Sequence, residues 1–247
     1  MVNVKGRWAL VTGASRGVGA QIAKFMAERG CNLILHSREA SHTKEVLSEV
    51  LAAGVKAYAV SADLADAAQV QTMLDSIEDK GTTVDIVFNN AGVQIAYRSG
   101  VYDTPAEDFS SSFLINTIAP AMICYHFLPK MIKRGFGRIL NTTSGIRLDP
   151  QQAGYSASKA ALDKFTIDLG TKVNGTDVAL NLNDPGWCRT DLGGPYAPNA
   201  VESVLPGIVV GAFIDDKKSG RNFGAQDFAG LTLEDAVRKA ESYDSPY

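Results

Sequence analysis

Short apolar runs that alternate with longer stretches of helical spacing constrain this chain more than any other feature. WALVT (8–12), NLILH (32–36), VKAYAV (55–60), VDIVF (84–88), GRILNTT (137–143) and DVALNL (177–182) are the apolar runs. Between them lie IAKFMAER, HTKEVLSEVLAAG, AQVQTMLDSIEDKG, a long segment from about 107 to 134, and AGYSASKAALDKFTIDLGTKV. Strand then helix, repeated, calls for right-handed crossovers and a parallel sheet covered on both faces. The fold class expected is therefore α/β, a doubly wound parallel sheet of about seven strands in a three-layer αβα arrangement. Gly30, Gly54 and Gly81 each follow a helical pattern where a left-handed C-cap is wanted. The stretch from about 186 to 219, rich in glycine and proline, is the least regular part. In open sheets of this kind the ligand site lies in loops at the carboxyl ends of the strands.

Composition then narrows the function. A chain of 247 residues with 45% hydrophobic residues can bury one large core, so a single domain over 1–247 is expected. A formal charge of -3 gives no long-range pull toward nucleic acid or an anionic membrane, and 21% charged residues beside that apolar content excludes disorder. No stretch is read as a signal peptide or as an uncharged run long enough to span a bilayer. A small-molecule partner and a cytoplasmic location are expected. Cys31, Cys124 and Cys188 are widely spaced and form no CxxC pair, and His36, His42 and His126 form no ligand cluster, so neither a disulfide framework nor a metal site is expected.

Two motifs carry chemistry. TGASRGVG, Thr12 to Gly19, directly follows the first apolar run and opens a helix. Its glycines at 13, 17 and 19 permit a tight turn and let a pyrophosphate approach backbone amides at a helix N-terminus, where the dipole favours anions. On those residues alone, a glycine-rich turn needed only for helix-to-strand packing stays open. In YSASK, Tyr155 and Lys159 stand four positions apart, which on a helix puts both on one face about a turn apart. That is a way to set an ammonium beside a phenol, although a solvated helix face would have the same spacing.

Further stretches follow in order: Asp63 after the third run, NNAG at 89–92 after the fourth, Asn116 in the long helix, Ser144 after the fifth run, and PGWCRT at 185–190 after the sixth. Together with TGASRGVG and YxxxK, these resemble the short-chain dehydrogenase/reductase family over roughly residues 5–192, with members of the 3-oxoacyl-ACP reductase and carbonyl reductase type. The resemblance implies a Rossmann-type fold and a nicotinamide-dependent oxidoreductase that interconverts a ketone and a secondary alcohol. It implies a catalytic tetrad of Asn116, Ser144, Tyr155 and Lys159. Tyr155 would be the general acid or base, Ser144 would hold the substrate oxygen, and Asn116 would kink its helix and hold a water connected to Lys159. A free tyrosine has a pKa near ~10, so Lys159 and an oxidised nicotinamide are expected to lower it.

The cofactor contacts implied are Gly13, Ser15, Arg16, Gly17, Val18 and Gly19 at the pyrophosphate, Asp63 and Leu64 at the adenine, and Asn90, Ala91 and Gly92 near the adenosine ribose. Tyr155, Lys159, Pro185, Gly186, Cys188 and Thr190 would face the nicotinamide end. Family members that use NAD carry an acid at the end of the second strand; here the chain reads HSR, with Ser37 in that place and Arg38 beside it. Two guanidinia, Arg16 and Arg38, suit a 2′-phosphate, so NADP (NADPH) is expected. Cys188 is read as packing, because no histidine stands near it in sequence.

The substrate is a carbonyl compound or alcohol whose identity stays open between a 3-oxoacyl thioester, a steroid-like ketone, a sugar or polyol and a small diketone. Its pocket is expected from Gln94, Tyr97, Ile146, Gln152, Trp187 and Tyr196, under a flexible lid around 190–206. Two departures from the family pattern stand out: a short loop between Ser144 and Tyr155, and a tail around 224–247 read as a short acidic helix with a loose end. A homodimer or homotetramer is expected, the dimer through the helices near 107–134 and 154–173. A non-catalytic NADP-sensing regulatory or scaffold protein on the same fold is the alternative.

Overall fold

Each apolar run forms a strand in the computed structural model, which describes residues 1–246. The strands are β1 (Trp8–Val11), β2 (Asn32–Ser37), β3 (Ala57–Ser61), β4 (Val84–Asn89), β5 (Gly137–Thr142), β6 (Val178–Asp184) and β7 (Asn222–Gly224). They pair in the order β3-β2-β1-β4-β5-β6-β7, every neighbour parallel. Helices α1 (Gly17–Glu28), α2 (Lys44–Ala52), α3 (Ala67–Asp79), α4 (Ala106–Phe113), α5 (Ala119–Arg134) and α6 (Ala153–Gly170) make the crossovers, and α7 (Leu233–Glu241) closes the chain.

Side chains alternate across a strand, and here both sides are buried. Ala9, Val11, Leu33, Leu35, Ile86, Phe88 and Leu140 enter one core with α1, α2 and α7. Leu10, Ile34, Val87, Ile139 and Leu180 enter a second core with α3 and α5. Two cores on opposite faces of one sheet are the physical content of the three-layer expectation. Local signals set the ends: Asp66 caps α3 by accepting from Ala68 and Gln69 amides at 2.9 and 3.2 Å, and Gly30, Gly54 and Gly81 take left-handed φ of 77°, 84° and 66°.

Two expectations need correction. α4 and α5 are continuous through a π-helical turn, Leu114–Ile118, and the resulting helix Ala106–Arg134 is long and apolar enough to cross a bilayer by length and composition. Here Ile123, Cys124, Phe127, Leu128 and Met131 of that helix are buried in the sheet core. The seventh strand, which brings the sheet to the expected number, is only three residues long and has no apolar run of its own. The tail after it is not loose: Ala236, Val237 and Ala240 are buried, Tyr243 packs against Phe223 and Phe228 with ring centroids 5.8 Å away, and Ser245 Oγ donates to Ser219 O at 3.0 Å. Tyr247 lies outside the described residues.

Candidate active site

The strand order reverses between β1 and β4, and open sheets bind ligands in the crevice that opens there. The glycine loop fills one wall. Gly13 has φ 65°, and a Cβ on Gly19 would lie 2.1 Å from Gly13 O, so the turn closes only with glycine at 19. Arg16 precedes α1 without making a side-chain cap, and no acid stands in the first turn, which leaves the N-terminal amides of α1 open to an anion. Thr12 Oγ1 accepts from Asn90 N at 2.9 Å and Ala91 N at 3.0 Å, while Asn90 Nδ2 donates to Thr12 O at 3.0 Å. The NNAG turn after β4 is therefore bolted to the glycine loop. Thr190 lies against it from the other side, its methyl 3.3 Å from where a Cβ on Gly17 would sit.

At the end of β2 the structure divides the predicted phosphate ligands. Ser37 is buried and its hydroxyl donates to Glu39 O at 2.6 Å. Arg38 is exposed and, among the described residues, makes no hydrogen bond or ion pair. Arg16 does not join it: its Nε pairs with Asp191 Oδ2 at 2.9 Å, an exposed contact across to the segment after β6. Asp63 Oδ1 accepts from Ala65 N at 2.9 Å, which shapes the turn after β3 beside Leu64.

The four predicted catalytic residues come together at the ends of β4 and β5. The π-helical turn presents Asn116, whose Oδ1 accepts from Val93 N and whose Nδ2 donates to Val93 O, both at 2.9 Å, and to Ser158 Oγ at 3.0 Å. A Cβ on Gly92 would come within 3.2 Å of Asn116 Oδ1 and 3.5 Å of Lys159 Nζ, so that glycine marks where helix, turn and lysine converge. Lys159, buried on α6, donates from Nζ to Thr142 O at 2.7 Å. Ser144 Oγ accepts from Ile146 N at 3.3 Å.

The electrostatics differ from the expectation for the phenol. Burial pushes Tyr155 above its ordinary range, the Ser144 hydroxyl pulls it partly back, and Asp184 adds to the rise. The Lys159 ammonium is turned onto the Thr142 carbonyl, and burial brings it down to about 8 despite the carboxylates of Asp163 and Asp184. Burial also raises Asp163, whose Oδ1 accepts from the Thr143 hydroxyl. Cys188 packs as read, its thiol donating to Pro185 O at 3.2 Å and pushed up by burial.

The predicted substrate residues are less closely gathered. Gln152 is buried, donates from Nε2 to Ile95 O at 3.3 Å and leaves its Oε1 without a partner. Arg98 N donates to Gln151 O at 3.1 Å, and the Arg98 guanidinium grips Asp108 with two bonds of 2.7 and 3.0 Å. Tyr97, Trp187 and Tyr196 are exposed, Tyr196 at 91%, and among the described residues Tyr196 makes no hydrogen bond or ring contact. Trp187 Nε1 donates to Gly193 O at 2.7 Å, and Arg189 Nη1 donates to Ala197 O and Pro198 O at 2.9 Å, so the segment expected as a lid folds back on itself. A cavity of about 740 Å³ lies elsewhere, between the N-terminal residues, Phe25, Phe213 and Leu233, and holds none of these groups.

Sequence reasoning passed over Thr12, His36, Asp163 and Asp184. Only one signal was available: a polar residue at the end of an apolar run, as in NLILH and DVALNLND.

Residues 7–200 match the family described as short chain dehydrogenase. A short-chain type dehydrogenase/reductase from Picea abies is 32% identical over 196 residues, covering 76% of this chain and 72% of the relative. Among solved structures, an NAD+-bound xylitol dehydrogenase superposes with TM-score 0.79 at 25% identity, covering 90% of this chain and 98% of that one. A 3-oxoacyl (acyl-carrier-protein) reductase from Agrobacterium tumefaciens with NADP bound gives TM-score 0.73 at 28% identity, covering 94% and 87%.

Proposed function

The chain belongs to the short-chain dehydrogenase/reductase family, and from that premise we propose that it interconverts a ketone and a secondary alcohol with NADP(H), Tyr155 acting as general acid or base. The observation that carries this reading is the convergence of Ser144, Tyr155, Lys159 and Asn116 beside a glycine loop whose helix amides are open. The cradle fits a dinucleotide: Gly13 and Gly19 leave no room for a Cβ, and no side chain competes for the first-turn amides. When bound, the nicotinamide supplies or accepts the hydride.

The remaining work falls to the chain. In reduction, negative charge builds on the substrate oxygen, and the Ser144 hydroxyl and Tyr155 phenol are the donors for it. A phenol raised by burial stays protonated at neutral pH, which suits the acid role. Lys159 sits behind it as the buried cation, and Asn116 ties the π-helical turn to Val93 and Ser158 so that this geometry holds.

For the cofactor, one relative binds NADP and another NAD+, so the preference rests on this chain's own residues. No carboxylate stands at Ser37 or Arg38, the Ser37 hydroxyl is occupied, and the Arg38 guanidinium has no partner of its own among the described residues. That arrangement favours a 2′-phosphate. For the substrate, Tyr97, Leu148, Trp187 and Tyr196 are exposed on the loops after β4, β5 and β6. The stretches 90–105, 143–152 and 185–200 that carry them contain no lysine, and two of their arginines, Arg98 and Arg189, are engaged by Asp108 and by backbone carbonyls. Such a rim favours a free, uncharged, largely apolar ketone over a thioester on an acidic carrier. Self-association belongs to the same reading: Ile118, Tyr125 and Ile132 recur every seven residues and are all exposed along one helix.

The test follows NADPH absorbance with purified protein across ketones, diketones, keto-sugars, steroid ketones and 3-oxoacyl thioesters, repeating each active pair with NADH. Selective NADPH oxidation by apolar ketones supports the reading; preference for NADH, or for carrier-bound thioesters, overturns the corresponding part of it.

A further inference from the structure

One buried side chain touches two of the segments that the dinucleotide reading assigns to the cofactor. His36, near the end of β2, is 2% exposed. Gly13 N lies 3.3 Å from its Nδ1, and its Nε2 lies 3.1 Å from Ala62 O. Its own carbonyl accepts from Ala14 N at 2.9 Å. A backbone amide only donates and a carbonyl only accepts, so these partners settle the tautomer: Nε2 carries the proton and Nδ1 is bare. The neutral ring is a strut between the glycine loop and the turn that leads into Asp63.

We propose that His36 is a positioning residue for the dinucleotide, setting the separation between the phosphate-binding loop and the adenine-binding turn. The proposal rests on the dinucleotide reading given above. No apolar residue could replace it without loss, because a leucine of similar volume would leave Gly13 N and Ala62 O facing hydrocarbon, and unpaired buried polar groups are costly. Protonation would be equally disruptive: an imidazolium presents donors at both nitrogens, and a donor then faces the Gly13 amide.

The surroundings leave the ring to titrate alone. Burial lowers its pKa from the ordinary 6.5, the Ala62 carbonyl opposes this, and no charged side chain contributes. On the elements packed against it, Asp63 is engaged by Ala65 N, Arg16 is paired with Asp191, Glu39 lies near His42, and Arg38 is exposed. The sign follows: the unfolded chain takes up a proton below about 6.5 before the folded one does, so stability and loop order fall as pH drops through that window.

The experiment titrates NADPH fluorescence on the full chain for wild type, His36→Leu, His36→Asn and His36→Gln, between pH 5 and 8. His36→Leu is expected to weaken NADPH about tenfold and to raise its KM more than it lowers kcat. His36→Asn keeps an acceptor opposite Gly13 and should recover most of that affinity, whereas His36→Gln keeps only the donor toward Ala62. Wild-type affinity should drop toward the acid end of this range through one protonation that His36→Asn lacks. The assignment is overturned if His36→Leu binds within twofold of wild type, if His36→Asn is no better than His36→Leu, or if wild type and His36→Asn share one pH profile. Should His36→Leu fail to fold, the geometry still decides: His36→Asn must bind NADPH more tightly than His36→Gln, and equal or weaker binding overturns the assignment. A wild type that binds neither NADPH nor NADH sinks the dinucleotide reading itself and this proposal with it, which separates that failure from the failure of His36.

Discussion

On the dinucleotide side of the crevice Thr12, His36 and Asn89 are at most 2% exposed, and Thr12 and His36 bond directly to backbone groups of a neighbouring loop. On the side proposed for the substrate Tyr97, Trp187 and Tyr196 stand in solvent, and among the described residues only Trp187 of the three anchors itself to a backbone carbonyl. The first wall is specified by backbone positions locked from behind, and the second by side chains with little holding them. Substitutions on the first wall should therefore disturb folding and binding together, while those on the second should change substrate range with stability intact.

Four experiments break or sharpen that contrast. The largest effect belongs to Tyr155→Phe, at the junction of the two walls: turnover should fall by about a thousandfold, the scale of general acid catalysis, while NADPH titration stays within twofold. Turnover near wild type would remove the phenol from the mechanism. Gly19→Ala comes next, since its Cβ would meet Gly13 O at 2.1 Å; NADPH affinity should drop by about a hundredfold with a lowered melting temperature. A variant that binds normally would show that this wall is not locked.

Arg38→Ala should reduce the preference for NADPH over NADH by about tenfold or more, as charge-assisted hydrogen bonds contribute roughly 1.5–3 kcal/mol each. An unchanged ratio would point the 2′-phosphate elsewhere. The smallest effect is expected from Asp191→Asn. The Arg16–Asp191 pair is exposed and worth about 0–1 kcal/mol, so NADPH affinity should move by no more than about fivefold, upward if the freed guanidinium turns to phosphate. A larger loss would make the pair part of the binding wall instead of a surface contact.

How far the site was legible follows the range of the signals. TGASRGVG, NNAG and YSASK are local patterns, and the structure brings Asn116, Ser144, Tyr155 and Lys159 to neighbouring strand ends. The direction of the tyrosine's shift was not legible, because it depends on burial by the whole fold, and neither was the turn of Arg16 toward Asp191, a partner far away in sequence. The position of the seventh strand was not legible because three residues carry no periodicity; the uncharged run of 109–129 was legible, but its burial against the sheet is a property of packing.

What the sequence by itself determined is the alternation of strand and helix, the glycine turn and the face shared by Tyr155 and Lys159, all of which arise from spacing within one segment. Only the tertiary structure decided that His36 joins Gly13 to Ala62, that Asn116 occupies a π-helical turn clasping Val93, and that the tail seats Tyr243 on Phe223 and Phe228. Those contacts join residues that are distant in the chain, and a hydrogen bond or a packed ring depends on where the folded backbone brings two groups, which no local pattern specifies.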